Sequence, residues 1–306
     1  MIYLMLAILC SSAIALIFKH SEDNQMNRYA VTSANYLTAF TVSLILIIKG
    51  GLISQIRKIT EVNFIQEAEQ VIFNNQGIFS PGSSIIWAIL VGVVAGIFFF
   101  LAFIYYQKSV RENGVGLAGT FAKLGILIPM SFSIILWREF PTSIQWIGII
   151  LSLASILIVN FSFKRFSLSD LRITLIFLFI FGGMAEFSNK IFQKYALTDY
   201  KDIFLFFVFF IAFWISIYFT IRHKKKVTRR DLLTGFFVGI PNLFSSFFLI
   251  LSLNTIKTSV AFPVFSAGSI VVINLGGLIL FKEKLSKKET IAVVLTIIAL
   301  ILINLK

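Results

Sequence analysis

The stretch from Gly92 to Asn160 recurs from Gly235 to Asn304, and this duplication limits the folds open to the chain more than any other feature. Gly92 and Gly96 are matched by Gly235 and Gly239 at the same G-x3-G spacing; Glu139 follows Gly96 by 43 residues and Glu283 follows Gly239 by 44. From there the copies run together without a gap, with Trp137, Arg138 and Glu139 against Phe281, Lys282 and Glu283, Ile147 against Ile291, Leu151 against Leu295 and Asn160 against Asn304. Identity is low but chemical class is kept, the mark of an old duplication in apolar surroundings.

Those surroundings follow from composition. A chain of 306 residues that is 58% hydrophobic and 13% charged, with mean hydropathy +0.92, cannot cover a water-facing surface with polar atoms. Apolar runs occur at 2–18, 30–48, 83–106, 115–137, 143–161, 172–192, 202–221, 232–253, 258–281 and 287–305. About 20 helical residues cross a ~30 Å hydrocarbon layer. In lipid the backbone must be paired within each segment, and these runs do not alternate as barrel strands do. The expected fold is an all-α polytopic membrane protein of ten transmembrane helices, numbered here as segments 1 to 10. The net charge of +13 lies in short connections between apolar runs, which marks topogenic charge and speaks against a nucleic-acid partner. The lone Cys10 makes neither a disulfide framework nor a metal site, and no cofactor is implied. No phosphate-cradling G-x4-G-K-[S/T] sequence is present, so the chain does not hydrolyse ATP itself.

Ala13-Ile14-Ala15 resembles a signal-peptidase site, but no Lys or Arg precedes the apolar core, so segment 1 is expected to be retained. It also has a counterpart, since Ser11-Ser12 with Lys19 parallels Gly182-Gly183 with Lys190. The chain then divides into a first five-segment repeat over 1–161, a linker over 162–171 and a second repeat over 172–306. Five is odd, so consecutive copies enter the membrane in opposite senses, which makes an inverted 5+5 repeat related by a pseudo-two-fold axis in the membrane plane. Lys19 to Gly96 spans 77 positions and Lys190 to Gly239 spans 49, so the first repeat carries an insertion, within 50–80. There Val62, Ile65, Ala68 and Ile72 form a stripe among Glu61, Glu67 and Glu69, as in a short interfacial helix. One set of connections holds 17 Lys and Arg and the other nine, which places both termini outside the cytoplasm of a plasma or inner membrane.

Ionisable residues deep in such segments are costly and tolerated mainly beside a cavity or partner. Three stand out: Lys123, Glu186 and Lys190. Lys123 lies ~13 Å into segment 4 at a 1.5 Å rise per residue, with Thr120 and Gly116 on the same face. A cation there suits an anionic or carboxylate-bearing solute; the competing reading is a buried stem whose ammonium reaches water or a carbonyl. Glu186 and Lys190 are four apart, so neutralisation within the helix competes with proton coupling through Glu186. Lys19 is the counterpart of Lys190. Asn242 beside Pro241, Ser266 after Pro263, and Asn274 add polar groups to the pathway, whereas Ser245, Ser246 and Ser269 are expected to pack helices. Glu139 and Glu283 are expected to cap the helix that follows each of them. Segments 5, 7 and 10 hold little that is polar and suit a lipid-facing or homodimer-facing exterior, so a homodimer stays open.

Together the G-x3-G openings of segments 3 and 8, the Pro and small residues of segments 4 and 9, and the turn residues Glu139 and Glu283 before a last apolar segment resemble the drug/metabolite transporter superfamily, in its ten-helix form of two EamA-like repeats. The resemblance implies secondary or facilitative movement of small metabolites through a central cavity between segments 1–4 and 6–9. Ser11-Ser12 departs from the aromatic residue and glycine that this family places there. The resulting expectation is a transporter, not an enzyme, that exports or exchanges a small polar metabolite such as an amino acid by alternating access, its partners being that solute and the bilayer. The rival is a membrane-embedded enzyme acting on lipids or prenyl phosphates. Against it stand the lack of an intramembrane His, of paired carboxylates at one depth and of a Gly-x-Ser-x-Gly elbow.

Overall fold

A chain this apolar satisfies its backbone with local i to i−4 hydrogen bonds, and the computed structural model is helical throughout, with no strand among the described residues. It describes residues 1–56, 62–74, 76–160, 173–223, 226–280, 282 and 287–304, and of residues 22, 23, 55, 110, 111, 113–117, 120, 159, 160, 289 and 304 the backbone alone. The helices are α1 (Ile2–Asp23), α2 (Arg28–Lys49), α3 (Leu52–Ile56), α4 (Phe64–Ala68), α5 (Pro81–Leu124), α6 (Leu127–Trp137), α7 (Ser143–Asn160), α8 (Ile173–Tyr195), α9 (Lys201–Arg222), α10 (Arg229–Leu253), α11 (Thr258–Leu280) and α12 (Lys287–Asn304). Among the described residues, seven stretches are long and apolar enough to cross a membrane: Ile2–Ser21, Arg28–Lys49, Pro81–Ser109, Ile173–Tyr195, Thr198–Arg222, Arg229–Leu253 and Thr258–Leu280. Shorter apolar helices at Phe121–Trp137, Ser143–Ile158 and Thr290–Ile303 fall on segments 4, 5 and 10.

Two compact units make up the chain, one of Met1–Leu16, Leu101–Phe187 and Thr255–Lys306, the other of Ile17–Phe100 and Ser188–Asn254. In the second unit both G-x3-G pairs work as close-packing surfaces. A Cβ on Gly92 would lie 2.9 Å from the Phe204 carbonyl oxygen, and one on Gly96 2.6 Å from that of Val208, so α5 meets the backbone of α9. Gly239 meets α2 in the same way, its Cβ position being 2.6 Å from the Asn35 carbonyl oxygen, and Gly235 abuts Val31 and Ala34. Small residues at a four-residue interval permit this approach where lipid offers no hydrophobic drive between helices. Asn27 caps α2 and also donates its backbone N–H to Asp231 (3.0 Å), which closes a capping box with Thr228 at the start of α10. The insertion docks through Phe64, whose ring lies 5.5 Å from that of Phe79, and through the buried Val71. Of the expected stripe, Val62 and Ile65 are exposed, while Ala68 and Ile72 are half-buried.

The first unit contains a reversal. Helical backbone runs unbroken from Pro81 to Leu124, where two segments joined by a loop were expected. Tyr105 packs its ring 5.0 Å from Phe177 and 5.4 Å from Phe181, while Gly125 lies against Phe179 and Gly183. A straight helix would separate positions 105 and 125 by about 30 Å. Neighbouring residues of α8 cannot meet both, so the run doubles back. Its far end is marked by Glu112, which accepts a hydrogen bond from Thr174 (2.9 Å) in the first turn of α8. Segments 3 and 4 are thus two arms whose connection keeps helical backbone. Elsewhere in this unit α7 packs along α12, with Gly148 against Ile303 and Ala299 and the Thr296 and Ser155 hydroxyls 2.8 Å apart.

Candidate functional site

The helix of segment 4 is interrupted at Gly125 and Ile126, between α5 and α6. Pro129 causes this, because it has no N–H for the carbonyl four residues back, that of Gly125, and its ring crowds that carbonyl. The Gly125 carbonyl instead accepts from Ile128 N–H (3.0 Å), one turn tightened to 3₁₀ spacing. Lys123 stands in the last turn before the interruption, half-buried, and Glu186 of α8 is the carboxylate that acts electrostatically on it. Segment 4 meets α8 because Gly125 and Gly183 have no side chains: a Cβ on Gly183 would stand 2.5 Å from the Gly125 carbonyl oxygen and 2.5 Å from Ile128 Cδ1. Beside Glu186, the Phe187 ring stacks on Phe132 (4.8 Å) and packs against Trp137 (5.9 Å), which fixes the rotation of α8 at this level. Lys123 therefore stands within the electrostatic reach of Glu186 at a point where helical hydrogen bonding is opened.

The other expected site residues divide between the units. Thr120 lies outside the residues whose side chains are described, as does the turn residue Glu283. In the first unit Ser266 is 1% exposed and its hydroxyl has no hydrogen-bond partner among the described residues; the same holds for Asn274 Nδ2. Ser269 returns its hydroxyl to the Phe265 carbonyl (2.7 Å), as a packing serine does. In the second unit Lys190 is buried and donates to Gln193 Oε1 (3.1 Å), Lys19 is half-buried, and Asn242 donates its amide to Asn35 Oδ1 (3.0 Å). That Asn242 bond lies one turn beyond Gly239 and ties α10 to α2.

Glu139 serves a helix distant in the chain. Its carboxylate accepts from the backbone N–H of Thr258 (2.6 Å) and its carbonyl from the Ser259 hydroxyl (2.7 Å), while Lys257 reaches the Phe140 carbonyl (3.0 Å). The capped helix is α11, whose exposed N–H groups and positive end attract a carboxylate as the start of α7 would. At α7 the N-terminal partner is supplied locally, Thr142 and Gln145 bonding each other's backbone N–H. Sequence reasoning also passed over Gln107, whose Nε2 is buried without a partner among the described residues, and Asp202, 9% exposed with Lys201 Nζ 3.8 Å away. Asn35 escaped notice because nothing in its own segment marks the glycine helix that packs on it.

Comparison with known proteins decides the class. The chain matches the EamA-like transporter family over residues 1–161 and again over 173–305. It belongs to that family. A crystal structure of another protein superposes on 99% of this chain and 96% of the other with a TM-score of 0.71 at 15% identity, which shows a shared fold. No curated protein matches the sequence. As a member of the EamA-like transporters the chain is a multi-pass membrane transporter of the drug/metabolite type, whose partners are a solute and the lipid bilayer. Membership lends nothing to the rival reading of a membrane-embedded enzyme.

Proposed function

We propose that this transporter exports or exchanges a small polar metabolite such as an amino acid by alternating access, with Lys123 contacting the solute's carboxylate. The observation that carries this is Lys123, half-buried in the last turn before the interruption at Gly125 and within the electrostatic reach of Glu186 on α8. Charges at that depth in an apolar segment are tolerated where they face a cavity or a partner. We assign Thr120, Ser266, Asn274, Lys19, Lys190 and Asn242 to the solute pathway. Glu186 is the first candidate for proton coupling.

The reading includes ten membrane crossings in two repeats of opposite sense, 1–161 and 172–306, in a plasma or inner membrane with both termini outside the cytoplasm. Three contacts support it, each recurring with the repeats exchanged. The segment 3 glycines pack on segment 7 as the segment 8 glycines pack on segment 2. Segment 6 meets segment 4 at Gly183 and Gly125, as segment 1 meets segment 9 at Ser12 and Ser269. The fifth and tenth segments pair with each other.

The test is uptake of labelled amino acids into proteoliposomes by Lys123→Met. Loss of one charge-assisted contact lowers transport by roughly 10- to 100-fold, with thermal unfolding unchanged. Undiminished uptake removes Lys123 from the site. A terminal reporter active only in the cytosol tests the orientation and should be silent.

A further inference from the structure

We propose that Gly182 sets the size limit of the solute: the space beside it receives the solute's non-ionic substituent while Lys123 and Glu186 hold its charged end. This deepens the transport reading above and rests on it. Gly182 and Gly183 are adjacent, yet a Cβ on Gly183 would collide with α5 and α6, whereas one on Gly182 would meet nothing within 4 Å.

Two places could be empty beside a membrane helix, the lipid side or an internal void. The rest of α8 tells them apart. Its outward residues are Ile173, Ile176 and Ile180, at 64%, 44% and 38% exposure. At 100° per residue they lie about 120–180° around the helix from Gly182. Within about 60° of Gly182 are Leu175, Leu178 and Ala185, at 0%, 2% and 5% exposure. Gly182 is half-exposed, as are Phe179 and Glu186 on the same face, while the residues flanking them are buried and the lipid-like exposure lies on the opposite side, so the open side of Gly182 faces inward. Glu186 follows one turn later on that face and is itself half-buried. The open space and Glu186 are contiguous along α8. A methyl on Gly182 would enter this space without touching the framework.

Two measurements on the full-length protein test this. In the first, Gly182→Cys is placed in a Cys10→Ser background in native membranes and exposed to thiosulfonate reagents of graded size and to a lipid-soluble maleimide. The small charged reagent is expected to label it and the bulkiest to fail. Labelling by the maleimide alone overturns the void, as does equal labelling by every reagent. In the second, Gly182→Leu is reconstituted and given glycine, alanine, leucine and phenylalanine. The ratio of small to large uptake should rise roughly tenfold or more, with the unfolding temperature held. An unchanged ratio overturns the size limit, and so does a collapse of folding. If Gly182→Cys labels as expected but the wild-type protein moves none of the four, the void stands and the amino-acid reading fails.

Discussion

Two helix crossings in the first unit occupy matching positions in the duplicated sequence and are built differently. Gly125 and Ser269 each stand 14 residues before the turn glutamates Glu139 and Glu283, and Gly183 and Ser12 each stand seven residues before Lys190 and Lys19. At the first crossing backbone meets backbone, glycine on glycine. At the second, the Ser12 hydroxyl donates to the Ile8 carbonyl (2.7 Å) and reaches that of Ser269 (3.3 Å), with Gly268 and Gly276 receiving Ile8 and Leu16. Four residues beyond Gly125 comes Pro129 and the helix opens; four beyond Ser269 comes Ile273 and α11 runs on. Two residues before Gly125 is Lys123, whereas two before Ser269 is Ala267, fully buried. A duplicated frame has thus concentrated charge, a broken hydrogen-bond ladder and empty space at one crossing and closed the other with hydroxyls. Fold symmetry does not require symmetry of the site.

If backbone approach is what holds the first crossing, a side chain there should be ruinous. Gly183→Val drives a branched carbon into Gly125 and Ile128, an overpacking that costs about 3 kcal/mol. It should appear as lost monodispersity in detergent and a large fall in unfolding temperature. Gly182→Ala, one residue away, should leave both unchanged; equal damage from the two would dissolve the distinction between packed and open faces.

Glu139 ties the two crossings together, since it ends the α6 arm and caps α11. Glu139→Gln keeps the shape but weakens the acceptor for Thr258 N–H, and Glu139→Ala removes it, at about 1–2 kcal/mol for a lost N-cap. Hydrogen exchange in the first turn of α11 should quicken while that of α7 does not. Faster exchange in α7 instead would restore capping of the following helix. The second crossing should be the more forgiving one. Ser12→Ala loses a hydroxyl worth about 0.6 kcal/mol in a membrane helix pair, a shift of a degree or two in thermal unfolding, whereas Ser12→Gly should bring the helices closer and imitate its counterpart.

Much of this was legible in the chain because lipid enforces simple rules. Length and apolarity marked the helices, and the G-x3-G spacing marked close crossings, since only small residues admit another backbone there. Partners were less legible. Nothing local to Glu139 distinguishes the next helix from one beginning at Thr258, because both offer the same unpaired N–H groups. The reversal within Pro81–Leu124 was expected as a loop, because apolar runs report spans and are silent on whether the turn between them stays helical. Gly182 and Gly183 are the same letter with opposite roles. Only their neighbours across space separate a contact from a void, and Lys123 was visible just because a charge in oil needs a reason.

The smallest effect expected lies outside both crossings, in the inserted segment, and serves as a check that damage at the crossings is local to them. Glu67 takes the backbone N–H (2.8 Å) and hydroxyl (2.7 Å) of Ser80, at the N-terminus of α5 where Pro81 begins the helix. Burial acts to raise its carboxyl, but hydrogen bonding to the charged form, from the Ser80 backbone and hydroxyl and from the Ser83 side chain, outweighs it and holds the group below the ordinary carboxylate range. A carboxylate depressed in the folded protein contributes stability that is fully present above its unfolded value, about 4.3, and is lost as pH falls through the folded value. Glu67→Gln should therefore loosen the Phe64–Val71 region at neutral pH, read as faster amide exchange there, and the gap between variant and wild type should close below about pH 4. A gap that persists in acid would mean that the amide disturbs packing against Phe79 and Val71, with no part played by charge. A gap that spreads to α8 or α11 would mean that the insertion is coupled to the crossings, and the contrast between them could no longer be read from their own residues.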